Sequence, residues 1–274
     1  MRQHFRAGPL LRKLGNNIVS PRARYVLGWR AYSSLLATFG LKLTAIARAG
    51  DLRPLDQSMG GRADTFRYGG RWFHFDCAFA DELILDGSYA FGIVREILIR
   101  DCYLKHLPTD TLQQVETVVD LGANRGMFSM LAGTFARHVL SIEANPRFRP
   151  VIEHNARLNG FDHVSIETVF VGAGGSLGSD TYPREELSTL LDRHGVESID
   201  LLKVDIEGSE FALFEKTAWL GRVRRLCMEV HHKYGPAEMI VDTLRADGFA
   251  LAFGNGDLQR VPPERDFDFL YAWR

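Results

Sequence analysis

Two acidic residues end consecutive apolar segments in the middle of the chain. Asp120 lies at the end of the apolar run 117–121, and a turn that begins and ends with glycine follows at residues 122–126. Glu143 ends the next apolar run, 139–142, and comes 23 residues after Asp120. A strand, a glycine turn and a helix present backbone amides to a ligand, and an acid at the tip of the second strand binds ribose hydroxyls. This spacing predicts a nucleoside site.

The glycine turn favours a cationic ligand over a dinucleotide. A dinucleotide turn uses three glycines to admit a pyrophosphate, whereas this turn has Asn124 where a middle glycine would help. Asp120 would also repel a diphosphate. S-adenosylmethionine carries a sulfonium and an ammonium but no phosphate, so it suits these acids. An ordinary strand–turn–helix with a packing glycine is the structural alternative that the motif leaves open.

A second group of charged residues follows the apolar run 199–202. Lys203, Asp205 and Glu207 alternate along the chain before Gly208, and period-two geometry puts Lys203 and Asp205 on one side of a strand. Charges at the carboxyl end of a central parallel strand are costly unless they have a function. A helix N-terminus that favours acids would explain Glu207, but not Lys203 and Asp205.

His231 and His232 end a further apolar run. A histidine with a pKa near neutrality can take a proton from a hydroxyl, so His231 is a candidate base. A solvated histidine pair in a polar loop is the alternative. The nine histidines and three cysteines show no metal-ligand or disulfide spacing, so we expect no metal and a reducing, cytoplasmic location.

The charge is distributed unevenly along the chain. Residues 1–50 hold nine of the 33 basic residues and none of the 34 acidic ones. Nucleic acid would require basic charge around the active cleft, so we do not expect it as a partner. A basic N-terminal segment is compatible with peripheral contact with an anionic membrane surface, and homo-oligomerisation is open.

The N-terminal part predicts several elements before the main domain. We expect a loose basic arm at 1–24 and an amphipathic helix at 30–48 that packs on the main domain or on a second subunit. A membrane-surface helix and a cleaved transit peptide are the alternatives. Gly69-Gly70 predicts a hairpin at 64–76, and residues 79–105 are largely helical around a break at Asp86-Gly87.

From residue 117 onward, strands and helices alternate, which predicts a mainly parallel sheet. The expected strands are 117–121, 138–143, 164–170, 199–205, 223–230, 249–254 and 268–273. The expected helices are 126–136, 147–159, 184–194, 208–219 and 236–247. No helix separates the last two strands, so they should pair antiparallel. The glycine-rich segment 172–179 predicts a flexible loop.

The segments 118–129, 143–146, 154–160 and 200–210 resemble the FkbM family of S-adenosylmethionine-dependent methyltransferases. The resemblance spans roughly residues 88–235, and its most specific part is 200–210. It implies an α/β fold of the class I methyltransferase (Rossmann-like) type, with a seven-stranded, mostly parallel sheet whose last strand is antiparallel. It also implies O-methylation of a hydroxyl on a sugar, a glycan or a natural product.

Site residues follow from the resemblance, position by position. The cofactor-binding set that it implies is Asp120, Gly122, Ala123, Asn124, Gly126, Phe128, Glu143, Ala144, Asn145 and Asp205. Asp205 and His231 are the candidate bases, with Lys203 as an electrostatic or positioning group. Ala144 stands where a proline is common, and the segment between Val171 and Leu187 is short for the family, which leaves the acceptor pocket undefined.

We therefore predict three regions: a basic arm and amphipathic helix at 1–60, a hairpin and helical cap at 61–109 that helps to shape the acceptor pocket, and a catalytic domain at 110–274. The predicted function is S-adenosylmethionine-dependent O-methylation of a small-molecule or glycan acceptor. N- or C-methylation of a small molecule or lipid, a nicotinamide-dependent oxidoreductase and a non-catalytic scaffold are the alternatives.

Overall fold

The computed structural model describes residues 18–172, 182–262 and 265–274. The chain divides into two compact units, one ending at Cys102 and the other beginning at Tyr103. The basic arm at 1–17, the glycine-rich loop at 173–179 and Pro263 lie outside the described residues. The three predicted regions, with boundaries at residues 60 and 109, stay a prediction.

Among its described residues, the first unit has a long helix, α1 (Pro21–Ala49), followed by α2 (Arg53–Met59). The prediction of a loose arm up to residue 24 is wrong at its end, because Ser20 caps α1 by accepting a hydrogen bond from the Ala23 amide and Pro21 opens the first turn. Gly28 has a φ of +67° and interrupts the helix. No helix among the described residues has the length and apolarity to cross a bilayer.

A hairpin follows, formed by β1 (Thr65–Tyr68) and β2 (Arg71–His74). Gly69 and Gly70 have φ values of +53° and +83°, which a two-residue hairpin turn requires and which glycine adopts without strain. The predicted hairpin is confirmed. The helical stretch after it consists of α3 (Cys77–Leu83), α4 (Ala90–Val94) and a π-helical turn (Arg95–Arg100), with the predicted break between α3 and α4.

The second unit alternates strands and helices, as predicted. Its strands are β3 (Val115–Leu121), β4 (Ala136–Ile142), β5 (Val164–Glu167), β6 (Phe170–Val171), β7 (Arg184–Glu185), β8 (Leu201–Val204), β9 (Arg225–Glu229), β10 (Ala250–Gly254), β11 (Arg260–Val261) and β12 (Phe269–Trp273). Its helices are α5 (Met127–Gly133), α6 (Arg149–Asn159), α7 (Leu187–Arg193), α8 (Glu210–Glu215) and α9 (Ala237–Ala246). Short 3₁₀ turns lie at Leu220–Arg222 and His232–Tyr234.

The main sheet has the strand order β11-β10-β12-β9-β8-β3-β4-β5. The strands from β9 to β5 pair in parallel, and β12 pairs antiparallel with both β9 and β10. The expected antiparallel pairing of the last two long strands is therefore confirmed. The predicted count of seven is corrected to eight among the described residues, because β11 adds a two-residue edge strand to β10.

The chain runs from β3 outward through β4 to β5 and then returns to β8 on the other side of β3. The sequence order of the strands therefore reverses between β3 and β8, and a crevice forms at the carboxyl ends of parallel strands at such a point. Both strands are apolar and buried: Val118, Val119, Leu202 and Val204 are each 0% exposed. Asp120, Lys203 and Asp205 lie at the carboxyl ends of these two strands, whereas Glu143 follows β4 and His231 lies beyond the end of β9.

Candidate active site

A cavity of about 350 Å³ lies at the carboxyl ends of β3, β4 and β8, within the second unit. We call it the strand-end cavity. It is lined by Leu121, Gly122, Asn124, Ile142, Glu143, Ala144, Asn145, Phe148, Val169, Phe170, Val171, Tyr182, Asp205, Ile206 and Glu207. Its volume falls within the range of roughly 300–1,000 Å³ typical of small-molecule sites.

The glycine turn holds the edge of this cavity by close packing. Gly122 has a φ of +80°, and a Cβ atom there would lie 1.7 Å from the carbonyl oxygen of Asp205. A Cβ atom at Gly126 would lie 2.8 Å from Cγ1 of Ile152. Both glycines are therefore required by the protein's own packing: Gly122 because the backbone after β3 lies against the backbone after β8, and Gly126 because it lies against Ile152.

Glu143 is held in the cavity wall by the turn and by its own loop. Its Oε2 accepts a hydrogen bond from the Asn124 amide at 2.8 Å, and its Oε1 accepts one from the Asn145 amide at 2.9 Å. Burial raises the pKa of Glu143, against the lowering effect of these two backbone hydrogen bonds. Each carboxylate oxygen can accept a further hydrogen bond, so the group is prepared to bind a pair of hydroxyls.

Asp120 and Lys203 form a buried ion pair behind the wall. Asp120 is 0% exposed and Lys203 3%. The Nζ atom of Lys203 lies 3.2 Å from Oδ1 of Asp120 and donates to the Gly122 carbonyl oxygen at 2.5 Å, and Ser129 Oγ donates to Oδ2 of Asp120 at 2.7 Å. Burial disfavours the charged ammonium, but Asp120 and Asp205 outweigh it and raise the pKa of Lys203. This pair joins β3 to β8.

Asp205 reaches the cavity and has a neighbour that the sequence did not indicate. Its Oδ2 accepts a hydrogen bond from the Tyr103 hydroxyl at 2.7 Å and lies 3.9 Å from Lys203 Nζ. The Tyr103 ring packs edge-on against Phe128, with ring centroids 5.7 Å apart. Tyr103 was missed because 102 residues separate it from Asp205, and no local pattern connects the two.

His231 makes a close contact with Glu210. Its Nδ1 lies 2.8 Å from Oε1 of Glu210, which also accepts the His231 backbone amide at 2.7 Å. The hydrogen bond to Glu210 raises the pKa of His231 to about 9, with burial opposing and the charge of Glu210 assisting. The imidazole therefore carries a proton at neutral pH, which works against the predicted role of His231 as a base.

The structure divides the predicted site residues into two sets. Those that line the strand-end cavity are Gly122, Asn124, Glu143, Ala144, Asn145 and Asp205. Those that do not line it are Asp120, Ala123, Gly126, Phe128, Lys203 and His231. The resemblance assigns the first four of this second set to the cofactor, and that assignment stays a prediction. Lys203 lies behind the wall, where it contacts Asp120 and the Gly122 carbonyl oxygen.

The chemistry of the wall suits a cationic nucleoside. Glu143, Asp205 and Glu207 are the charged side chains on the wall among the residues that the structure describes, and all three are acids. Phe148, Val169, Phe170 and Val171 offer apolar surface beside them. An anionic diphosphate would meet repulsion here, whereas a ligand with a ribose, an aromatic base and positive charge finds a complementary group for each part.

A family model of the methyltransferase FkbM domain matches residues 178–251. The match includes β8, α8, β9 and α9, and it confirms the predicted resemblance over this segment. None of the curated proteins matches the sequence. The main sheet is mostly parallel with an antiparallel β12, and the domain match places the resemblance to FkbM methyltransferases on the part of the chain that contains β8 and β9.

Solved structures of methyltransferases resemble the chain weakly. The methyltransferase FkbM from Methylobacillus flagellatus KT is 15% identical, with a TM-score of 0.43, over 72% of this chain and 57% of that one. The N-terminal domain of human METTL16, solved in complex with SAH, is 16% identical, with a TM-score of 0.40, over 59% and 62%. An rRNA methylase from Streptococcus thermophilus is 13% identical, with a TM-score of 0.39, over 60% and 90%. The chain spans less than two thirds of the first two, and at these scores the matches carry no information on the acceptor.

Proposed function

We propose that this chain methylates a hydroxyl oxygen of a sugar, glycan or natural-product acceptor, with S-adenosylmethionine as the methyl donor. The observation that carries the cofactor assignment is the position of Glu143 in the cavity wall, with both oxygens fixed by backbone amides and free to accept more hydrogen bonds. A ribose diol matches that arrangement, because its two hydroxyls donate to one carboxylate.

The remaining wall supports the same ligand. Gly122 lies against the backbone of Asp205, so the ammonium and sulfonium groups of the ligand are best accommodated at that end of the wall. Phe148 and Phe170 provide the apolar surface that an adenine ring requires. The acidic wall disfavours a nicotinamide dinucleotide, because the carboxylates of the wall would repel its two phosphates.

The reaction requires an oxygen nucleophile beside the donor. S-adenosylmethionine supplies a methyl group on a sulfonium, and S-adenosylhomocysteine leaves when the acceptor oxygen takes that methyl. The protein aligns the two reactants and keeps water away from them. Asp205 is the candidate base, because it lies on the wall and its carboxylate is held by the Tyr103 hydroxyl. Lys203 positions Asp205 from behind.

The first test is calorimetric titration of the purified chain with S-adenosylhomocysteine, with NADH as a parallel control. We expect micromolar binding of S-adenosylhomocysteine and no heat from NADH. Binding of NADH alone would overturn the methyltransferase proposal in favour of an oxidoreductase. A folded chain that binds neither would favour a scaffold.

The acceptor is tested next by incubating the chain with methyl-labelled S-adenosylmethionine and a panel of glycans, sugars and polyhydroxylated natural products. Matched acceptors whose hydroxyl is replaced by an amine separate O- from N-methylation. Label in the amine compounds but not in the hydroxyl compounds would contradict the oxygen assignment while leaving the cofactor assignment intact.

A further inference from the structure

Three side chains with metal-binding atoms meet at the ends of β8 and β9. Asp205, Glu207 and His231 each offer one such atom, and these three atoms all lie within 4.8 Å of one another. We call this group the His231 triad. Two of its members, Asp205 and Glu207, line the strand-end cavity, so the triad lies beside the space where the proposed reaction takes place.

His231 is oriented as a metal-binding histidine is. Metal-bound histidines usually donate the other ring N–H to a carboxylate, which fixes the ring and its tautomer. Here Nδ1 of His231 lies 2.8 Å from the fully buried Glu210, whose other oxygen accepts the Gly208 amide at 2.8 Å. Nε2 is thereby left on the side of Glu207, at 3.4 Å from its Oε2.

The spacing of the triad allows one ion to be bound with small side-chain movements. Ligand atoms at roughly 2.1 Å from an ion and at right angles to each other lie about 3 Å apart. The Nε2–Oε2 distance between His231 and Glu207 is 3.4 Å, and the Glu207 side chain is 74% exposed and able to rotate. Asp205 is held more firmly, because Tyr103 donates to its Oδ2.

The charges around the triad favour a cation. Asp205, Glu207 and Glu210 surround one imidazole, and Glu229 also acts on it electrostatically. Besides the imidazolium of His231, whose Nε2 proton a bound ion would displace, the positive group nearest to them in the described contacts is the ammonium of Lys203, which is 3.9 Å from Asp205 and already pairs with Asp120. The carboxylates therefore outnumber the cations, and a divalent ion would offset their mutual repulsion.

We propose that Asp205, Glu207 and His231 bind one divalent cation of borderline character, such as Mn²⁺ or Zn²⁺, whose open positions face the strand-end cavity and bind the acceptor hydroxyl. The mixed imidazole and carboxylate set suits these ions better than Mg²⁺, which prefers oxygen ligands. This role for the ion rests on the proposed O-methylation, whereas the binding of the ion does not.

A bound ion would change how the acceptor is activated. A divalent ion lowers the pKa of a hydroxyl bound to it, so the hydroxyl proton passes to solvent and the resulting alkoxide is the nucleophile. The oxygen then forms a bond to the methyl carbon, the carbon–sulfur bond breaks, and its electron pair stays on sulfur. Asp205 would then serve as an ion ligand instead of a base.

The test is calorimetric titration of the chelator-treated full chain with MnCl₂, with and without S-adenosylhomocysteine. We expect a saturable isotherm with one ion per chain. Glu207→Gln should weaken binding by about ten-fold or more, because it removes a charged ligand. Glu215→Gln is the matched control, since Glu215 is an exposed acid at the end of α8, and it should bind Mn²⁺ like the wild type.

Glu207→Gln is the deciding variant, because the Glu207 side chain is 74% exposed and no buried group among the described residues depends on it, whereas His231→Ala also removes a partner of the buried Glu210. The ion site is overturned if the wild type shows no saturable binding up to about 1 mM MnCl₂, or if Glu207→Gln binds as tightly as the wild type. Measuring S-adenosylhomocysteine binding in the same samples separates the two proposals. A chain that binds the ion but does not bind S-adenosylhomocysteine would contradict the methyltransferase proposal and leave the ion site standing.

Discussion

Two acidic residues at the same edge of the sheet have opposite surroundings. Asp120, at the end of β3, is fully buried and pairs with the equally buried Lys203. Glu207, after β8, has a side chain that is 74% exposed and lies on the cavity wall. In the sequence both are acids near the end of an apolar run, and the sequence alone does not distinguish their surroundings.

The comparison shows that acids at the ends of neighbouring strands differ in how far their charge is already paired within the protein. Asp120 forms an ion pair with Lys203 and accepts a hydrogen bond from Ser129. These contacts hold together the strand ends that support the cavity. Glu143, Asp205 and Glu207 present carboxylate oxygens to the cavity. We therefore expect changes behind the wall to act mainly on stability, and changes on the wall mainly on ligand binding and turnover.

The largest effect is expected behind the wall. Lys203→Met removes the cation from a buried pair and leaves Asp120 uncompensated, so it should lower the free energy of unfolding by about 3–5 kcal/mol. Equilibrium urea denaturation measures this change. The double variant Lys203→Met with Asp120→Asn removes both charges and should recover part of the loss. A single variant as stable as the wild type would mean that the pair does not hold the sheet edge.

Glu143 provides the corresponding test on the wall. Glu143→Ala should weaken S-adenosylhomocysteine binding by roughly 100-fold, because two charge-assisted hydrogen bonds to ribose are lost. Glu143→Gln, which keeps one oxygen acceptor, should show a smaller loss. Calorimetry gives both affinities, and Glu153→Gln on α6 serves as the control for an acid with a partly exposed side chain. Unchanged affinity in Glu143→Ala would place the ribose elsewhere.

The His231–Glu210 pair should make stability depend on pH. The folded-state pKa of His231 is about 9, against an ordinary value of 6.5, so the pair's contribution is fully present below pH 6.5 and is lost as the pH rises through about 9. Asp205, Glu207 and Glu229 act on the same imidazole. Solvent screens part of this pair, so we expect about 1–2 kcal/mol.

Urea denaturation of the wild type and of His231→Gln, between pH 6 and pH 10 and in the presence of a chelator, checks this expectation. The stability difference between the two chains should be largest at the acidic end of the series and shrink toward pH 10. A difference that stays constant across the series would show that the folded-state pKa of His231 is close to its ordinary value.

The smallest effect is expected at Tyr103, which positions Asp205 without lining the cavity. Tyr103→Phe removes the hydroxyl donor at 2.7 Å and should cost about 1 kcal/mol of stability. It should also slow turnover by roughly five-fold, shift the pH profile of turnover and leave S-adenosylhomocysteine affinity unchanged. An unaltered pH profile would limit Tyr103 to a packing role.

Local patterns in the sequence were sufficient for most of the fold. The alternation of apolar runs with amphipathic segments predicted the strands and helices of the second unit, because each buried strand and each helix face imposes its own period on the chain. Gly69-Gly70 predicted the hairpin, and the missing helix before β12 predicted its antiparallel pairing. Glu143 was also found locally, because its position relative to Asp120 follows from consecutive strands of one sheet.

What the tertiary structure decided is which charged residues meet. Lys203 pairs with Asp120, 83 residues earlier in the chain, because β8 lies beside β3 in the sheet. Tyr103 reaches Asp205 across 102 residues, and Glu210 reaches His231 across 21. Burial and pairing depend on neighbours that are distant in sequence, so a single sequence marks the acids of the sheet edge but does not show which are neutralised by a partner and which face a ligand.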